Sequence, residues 1–108
     1  MRGRYAMMGL IGIATWGVSA VTAQERKPSY MPKEGYVPDA KTAIRIAVAV
    51  WSPIYGEKHI ESKKPFRARL HRGVWTVTGS LPKGWSGGVP EANIFKSDGR
   101  VLRVIHGK

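Results

Sequence analysis

The stretch PFRARLHRGVWTVTGSL, residues 65–81, decides the fold because apolar and polar residues alternate on both sides of a single turn. Alternation with a period of two is typical of a strand that has one buried face. We place a two-residue turn at Arg72 and Gly73, although arginine is not the preferred first residue. The hairpin then pairs apolar residues with apolar residues: Leu70 with Trp75, and Ala68 with Val77.

The other face of this hairpin is basic and polar. It carries Arg67, Arg69 and His71 beside Val74, Thr76 and Thr78. A cationic strand face near tryptophan is a feature of platforms that bind single-stranded nucleic acid. The register, however, places Trp75 in the core. Arg67 and Arg69 are therefore candidate partner-binding residues, and a merely solvated face is the alternative.

A second hairpin is predicted in VPEANIFKSDGRVLRVIHGK, residues 89–108. The sequence Ser97, Asp98, Gly99 suits a three-residue loop with glycine in the left-handed conformation. The inner-face pairs of that register are Ile94 with Leu102 and Ala92 with Val104. A two-residue turn at Asp98 and Gly99 is the second choice, and it would pair Phe95 with Leu102.

The clearest helix pattern, PDAKTAIRIAVAVWSPIYG, spans residues 38–56 and precedes both hairpins. Asp39 is a good N-cap and Gly56 a good stop, whereas Pro53 predicts a kink or a new turn. The apolar stripe, at steps of three and four residues, comprises Ile44, Ala47, Val48, Trp51 and Tyr55. One helix followed by two hairpins predicts an α+β fold, with one principal helix packed on a four-stranded antiparallel sheet.

The first 24 residues, MRGRYAMMGLIGIATWGVSAVTAQ, have the three parts of a secretory signal peptide. Arg2 and Arg4 precede an uncharged, mostly apolar run, and small residues end at Ala23. We expect cleavage after Ala23, which divides the chain into a signal peptide (1–23), an extended tether (24–37) and an α+β domain (38–108). The alternative is a retained membrane anchor, because the uncharged run over residues 5–24 is long enough to span. We thus expect an exported protein, periplasmic or secreted, that touches membrane only through this segment if it is uncleaved.

The charge of the chain narrows the class of partner. The 108 residues carry a net charge of +11 at pH 7, and about +9 without the first 23 residues. Such a charge suits nucleic acid, an anionic envelope polymer or an acidic protein surface. Export argues against nucleic acid. A solvated basic surface that keeps a small exported protein soluble is the other interpretation.

No pattern in the sequence indicates catalysis, a metal or a cofactor. The absence of cysteine excludes disulfides and a cysteine nucleophile. His59, His71 and His106 are scattered, so a metal site would require tertiary convergence. No nucleophile elbow surrounds Ser80, and no acid–base pair stands out. We therefore expect a protein that is not an enzyme and has neither catalytic residues nor a cofactor.

The loop SLPKGWSGGVP, residues 80–90, connects the two hairpins, and its Trp85 has no place in either of them. Trp85 either folds back as a lid on the core or is an exposed anchor of the kind that dominates protein interfaces. Trp85, Gly87 and Gly88 are therefore candidate partner-binding residues, together with Arg67 and Arg69.

Several short motifs, each present once, follow one another along the chain. They are an alanine-rich helix ending in Trp51 and residues 54–56, then Pro65 and Phe66, residues 73–82, residues 87–89, and a final Gly107 and Lys108. With these motifs, residues 36–108 resemble the nuclear-transport-factor-2-like fold immunity proteins of bacterial polymorphic toxin systems. The resemblance implies a non-enzymatic antitoxin that binds and blocks a cognate toxin. A full fold of this type has further N-terminal helices and a longer sheet, so we expect a reduced, cystatin-like version.

Charge and export refine what the resemblance implies. A basic, exported immunity protein suits an envelope-acting toxin with an acidic cleft, such as a cell-wall hydrolase. The alternative is a small periplasmic module that binds an anionic envelope polymer such as peptidoglycan. Arg67, Arg69 and Arg103 would then carry the binding.

Overall fold

A computed structural model describes residues 30–108. The predicted signal peptide and the first part of the predicted tether, residues 24–29, lie outside the described residues. Residues 30–108 form two helices and four strands: α1 Ala40–Tyr55, α2 Glu57–Glu61, β1 Arg67–His71, β2 Val74–Thr78, β3 Pro90–Phe95 and β4 Val101–His106. Within residues 30–108 neither helix has the length and apolar character needed to cross a bilayer.

The strands form one antiparallel sheet in the order β1-β2-β3-β4. Helix α1 packs against β1, β2 and β3 on one face of this sheet. The predicted α+β architecture, with one principal helix on a four-stranded antiparallel sheet, is therefore confirmed.

Helix α1 begins and ends at the predicted residues. The Asp39 carboxylate accepts hydrogen bonds from the Thr42 hydroxyl at 2.7 Å and the Thr42 backbone N–H at 2.8 Å, and these bonds lower the pKa of Asp39. Gly56, with a φ of 99°, ends the helix by donating its N–H to the Ser52 carbonyl. The helix runs on for two residues beyond Pro53, and the short α2, which the sequence did not predict, follows and buries Ile60.

The core lies between α1 and the sheet. Ala43, Ala47 and Trp51 come one turn apart and are fully buried, because the two small alanines let the helix approach the strands closely. The other buried apolar residues are Val37, Ile60, Trp75, Val77, Ala92 and Ile94. The rest of the predicted stripe, namely Ile44, Val48 and Tyr55, is half-buried at the border of this core.

The first hairpin has the predicted register, in which Leu70 pairs with Trp75 and Ala68 with Val77. Arg72 and Gly73 form the turn with positive φ angles of 49° and 76°, as a type I′ turn requires. Leu70 nevertheless remains 43% exposed, because β1 is an edge strand and gains a neighbour on one side only.

The second hairpin has the predicted register only in the half that lies away from its turn. Ala92 pairs with Val104, but Ile94 pairs with Val101 rather than with Leu102. The connecting loop has four residues, since the Phe95 N–H donates to the Arg100 carbonyl. A β-bulge between Asn93 and Ile94 shifts the register by one residue, so the pairs beyond it are the predicted ones. Both predicted turns, of three and of two residues, are therefore wrong, and Leu102 is exposed.

Residues 35–37 belong to the folded domain rather than to a tether. The N–H groups of Tyr36 and Val37 donate to the carbonyls of Ser97 and Lys96. Val37 is fully buried, and its carbonyl accepts a hydrogen bond of 2.8 Å from Trp75 Nε1. One apolar residue among prolines and charges has no periodicity, so the sequence pattern could not indicate this docking.

The two core tryptophans differ in how their indole N–H is satisfied. Trp75 Nε1 donates to Val37, whereas Trp51 Nε1 is buried and has no hydrogen-bond partner among residues 30–108. A buried polar group without a partner costs about 1–3 kcal/mol. The Trp51 ring offsets this cost by full burial and by packing on Phe66, with 5.7 Å between the ring centroids.

Replacing Trp75 by Phe should therefore lower the free energy of unfolding more than replacing Trp51 by Phe. Each change removes the same indole-to-phenyl volume, but Trp75→Phe leaves the Val37 carbonyl without its donor, while Trp51→Phe deletes an unsatisfied N–H. We expect a difference of about 1–3 kcal/mol between the variants in urea unfolding followed by circular dichroism. Equal losses, or a larger loss for Trp51→Phe, would contradict the structural role of the bond to Val37.

Candidate protein-binding surface

The sheet face opposite α1 carries no helix within residues 30–108. We call it the open face. It is formed by every second strand residue, and its charged members are Arg67, Arg69, Glu91 and Arg103. The register that buries Trp75 and Val77 on the α1 side places Arg67 and Arg69 on the open face.

Positive charge dominates the open face. Arg103 lies 3.9 Å from the carboxylate of Glu91, whereas Arg67 and Arg69 have no ion-pair partner in the described part of the chain. These two arginines line a groove with the hydroxyl side chains of Thr76 and Thr78. The groove therefore offers two free guanidinium groups, which bind carboxylates and phosphates through paired hydrogen bonds.

The loop between β2 and β3 is held by hydrogen bonds at its base, where it leaves β2. The Gly79 N–H donates to the Pro90 carbonyl at 3.0 Å, and the Ser80 N–H donates to the Lys63 carbonyl at 2.7 Å. The Ser80 hydroxyl adds a bond of 2.6 Å to the Pro65 carbonyl. The loop thus leaves the sheet along a defined path.

The other side of the loop base, just before β3, is held by a contact between two glycines. A Cβ atom on Gly88 would lie 1.9 Å from the carbonyl carbon of Gly107, so only glycine fits there. The Gly107 N–H donates to the Val89 carbonyl at 3.1 Å, and Lys63 Nζ donates to the Gly88 carbonyl at 3.3 Å. Gly88 therefore has a structural role in closing the base. The Cβ position of Gly87, with a φ of 124°, meets no atom within 4 Å.

Trp85 lies at the tip of this loop and is 70% exposed, so it does not act as a lid on the core. Its backbone N–H closes a turn by donating to the Pro82 carbonyl at 3.1 Å. The loop follows Thr78, which pairs with Arg67. The structure therefore brings Arg67 and the Trp85 loop to the same end of the sheet, while Arg69 lies further along the open face.

Two side-chain features of this end of the molecule were missed by sequence reasoning. His59 and His106, which are 47 residues apart, place their Nε2 atoms 2.9 Å from each other, while His71 lies at the other end of the open face. Lys63 is buried under the loop base. Within residues 30–108 there is no group of three or more His, Cys, Asp or Glu arranged to hold a metal. No local spacing signals contacts between residues so distant in sequence.

Gly88→Ala should destabilise the protein by about 1–3 kcal/mol in urea unfolding, because backbone must move to admit the methyl group. Gly107→Ala is the matched control, since its Cβ would meet the same contact from the other side at 3.2 Å. The control should therefore lose less stability than Gly88→Ala. Equal stability of the two variants would show that the loop base is not closed as described.

A family model described as NTF2 fold immunity protein matches residues 42–108 of the chain. The match begins in α1 and covers α2 and all four strands. A search of curated proteins and a search of solved structures each returned no match. Immunity proteins of this kind are generally non-enzymatic, and membership implies a toxin as partner. Because the family model matches more than half of the chain, the protein belongs to the NTF2 fold immunity protein family.

Proposed function

We propose that this protein is an exported immunity protein that binds and blocks, without catalysis of its own, a cognate toxin acting in the cell envelope. The observation that carries the proposal is Trp85, which is 70% exposed on a loop with a fixed base, at one end of a basic face that no helix covers within residues 30–108. A large exposed aromatic on a pre-ordered loop is the kind of group that anchors protein interfaces.

Charge supports a toxin with an acidic surface. The chain has 18 lysines and arginines against 7 acidic residues, and complementary potential steers partners together. Toxins that act on nucleic acid usually carry basic surfaces, which this chain would repel. The signal-peptide pattern of residues 1–23 supports an encounter outside the cytoplasm. Together these features favour an envelope enzyme with an acidic cleft, such as a cell-wall hydrolase.

The proposed mechanism is occlusion. Trp85 enters or covers the cleft of the toxin, while Arg67 and Arg69 pair with carboxylates at its rim. The bonds at the loop base matter because a loop that is already ordered loses less conformational entropy when it binds. Blocking access to the cleft requires no chemistry from the immunity protein.

One observation favours a second function, which is binding of an anionic envelope polymer. The groove of Arg67, Arg69, Thr76 and Thr78 presents guanidinium and hydroxyl groups, which suit the anionic groups of an extended polymer. Such binding would rest on exposed charges and would weaken steeply between low and moderate ionic strength. It would also leave Trp85 without a role, which is why we rank it second.

The test of the proposed function is capture of the partner, with the whole chain as bait against envelope extract and against the products of neighbouring genes. We expect one protein at stoichiometric amount that survives moderate salt, stops growth when directed to the envelope, and is neutralised when this chain is co-expressed. Recovery of only cell-wall fragments would favour the polymer function. Tight binding to a cytoplasmic nuclease, with no envelope partner, would contradict the envelope proposal.

Variants of this chain, assayed for binding to the captured toxin, test the proposed binding surface. Trp85→Ala should weaken binding by about 2 kcal/mol or more, which is about thirtyfold in Kd. Arg67→Ala and Arg69→Ala should weaken it most at low salt, because the lost attraction is electrostatic. Arg45→Ala is the matched control, since Arg45 is an exposed arginine on α1, away from the open face. Calorimetry at two salt concentrations measures these values.

The binding surface assigned here would be wrong if Trp85→Ala bound normally, or if Arg45→Ala weakened binding as much as Arg67→Ala. Urea unfolding of each variant serves as the control for folding. The four replaced side chains are all exposed, so we expect the unfolding midpoints of the variants to stay close to that of the parent chain. They are Arg45, Arg67, Arg69 and Trp85.

A further inference from the structure

His59 and His106 form a close pair that the proposed toxin-binding surface does not use. His59 lies on α2 and His106 is the last residue of β4. Their Nε2 atoms are 2.9 Å apart, and their ring centroids are 5.1 Å apart. His59 is exposed and His106 is partly exposed, and their contact lies at the surface of the protein.

The surroundings of His106 determine which of its nitrogens carries a lone pair. Its Nδ1 lies 2.7 Å from the Gly107 carbonyl oxygen, which can only accept a hydrogen bond. Nδ1 is therefore the protonated nitrogen, and Nε2 of the neutral ring presents its lone pair to His59. The ring edge or face of Tyr55, at a centroid distance of 4.9 Å, packs on the same imidazole and helps to hold its orientation.

We propose that His59 and His106 together bind one divalent transition-metal cation of the zinc, nickel or copper class through their Nε2 atoms. Imidazole nitrogen is a preferred ligand of these ions. Metal–nitrogen bonds of about 2.0–2.1 Å place two adjacent ligand nitrogens about 2.9 Å apart at a right angle, and about 3.4 Å apart in a tetrahedron. The pair thus has the required separation, and binding requires that the His59 proton move to Nδ1 and that both rings tilt so that their Nε2 lone pairs converge on the ion.

The hydrogen bond from His106 Nδ1 to Gly107 is the second observation in favour of a metal. Histidines that bind metals generally donate their other ring N–H to a carbonyl or carboxylate, which fixes the ring and makes the ligating nitrogen more basic. Because no third His, Cys, Asp or Glu joins the pair within residues 30–108, water completes the coordination. The site is therefore open, and it binds more weakly than a closed structural zinc site.

Binding at this pair should stabilise the fold. The unfolded chain does not hold together two ligands that are 47 residues apart, so the cation binds preferentially to the folded state. The bound cation would join α2 to the end of β4, next to the Gly107 contact that closes the loop base. This proposal does not depend on the identity or the existence of the toxin.

The test is titration of the whole chain with zinc chloride and, separately, with nickel chloride, followed by calorimetry and thermal unfolding. We expect saturation at one ion per chain and a rise in Tm. His59→Gln and His106→Gln should each weaken binding at least about tenfold and lower the rise in Tm accordingly. His71→Gln is the matched control, because it removes an exposed histidine at the other end of the sheet, and it should change neither result.

Equal binding by all three variants, or no rise in Tm of the parent chain at millimolar zinc, would overturn the proposal. Nuclear magnetic resonance of the parent chain keeps the test decisive if a variant fails to fold. Zinc should shift the ring nitrogen signals of His59 and His106 and leave those of His71 in place. Equal shifts of all three histidines, or no shifts, would leave the pair as a hydrogen bond only.

Discussion

The rest of the structure depends on the close packing of α1 against the middle of the sheet. Ala43, Ala47 and Trp51 occupy one line of the helix, and the small alanines bring that line into contact with the residues that β2 and β3 bury. A chain of this length has apolar residues for one such layer only. The opposite face of the sheet is therefore left mostly to polar and basic side chains, and no helix covers it within residues 30–108.

A second constraint acts at the end of the sheet where the Trp85 loop begins. Gly88 and Gly107 approach so closely that no side chain fits between them, and Lys63 and Ser80 add hydrogen bonds on either side. The loop is therefore held firmly at its base, while Trp85 at its tip is exposed. The same chain end carries His106, so loop closure and the histidine pair share the backbone of residues 106–107.

Sequence reasoning succeeded where a local rule was sufficient. The register of the first hairpin follows from period-two alternation and one turn, and the ends of α1 follow from Asp39 and Gly56. It failed where distant parts of the chain meet. The bulge in β4, the burial of Val37 under Trp75 and the pairing of His59 with His106 depend on tertiary contacts that leave no periodic trace. Of the candidate binding residues, Trp85, Arg67 and Arg69 are exposed, whereas Gly88 is engaged within the fold.

The most direct test of the claim that the open face and its loop bind the partner is amide hydrogen exchange of the chain, free and in complex with its toxin. Slower exchange in β1 and in residues 80–89, with unchanged exchange over α1, is the predicted result. Protection concentrated on the outer side of α1, with the Trp85 loop exchanging as in the free protein, would contradict it and would assign binding to the helical side.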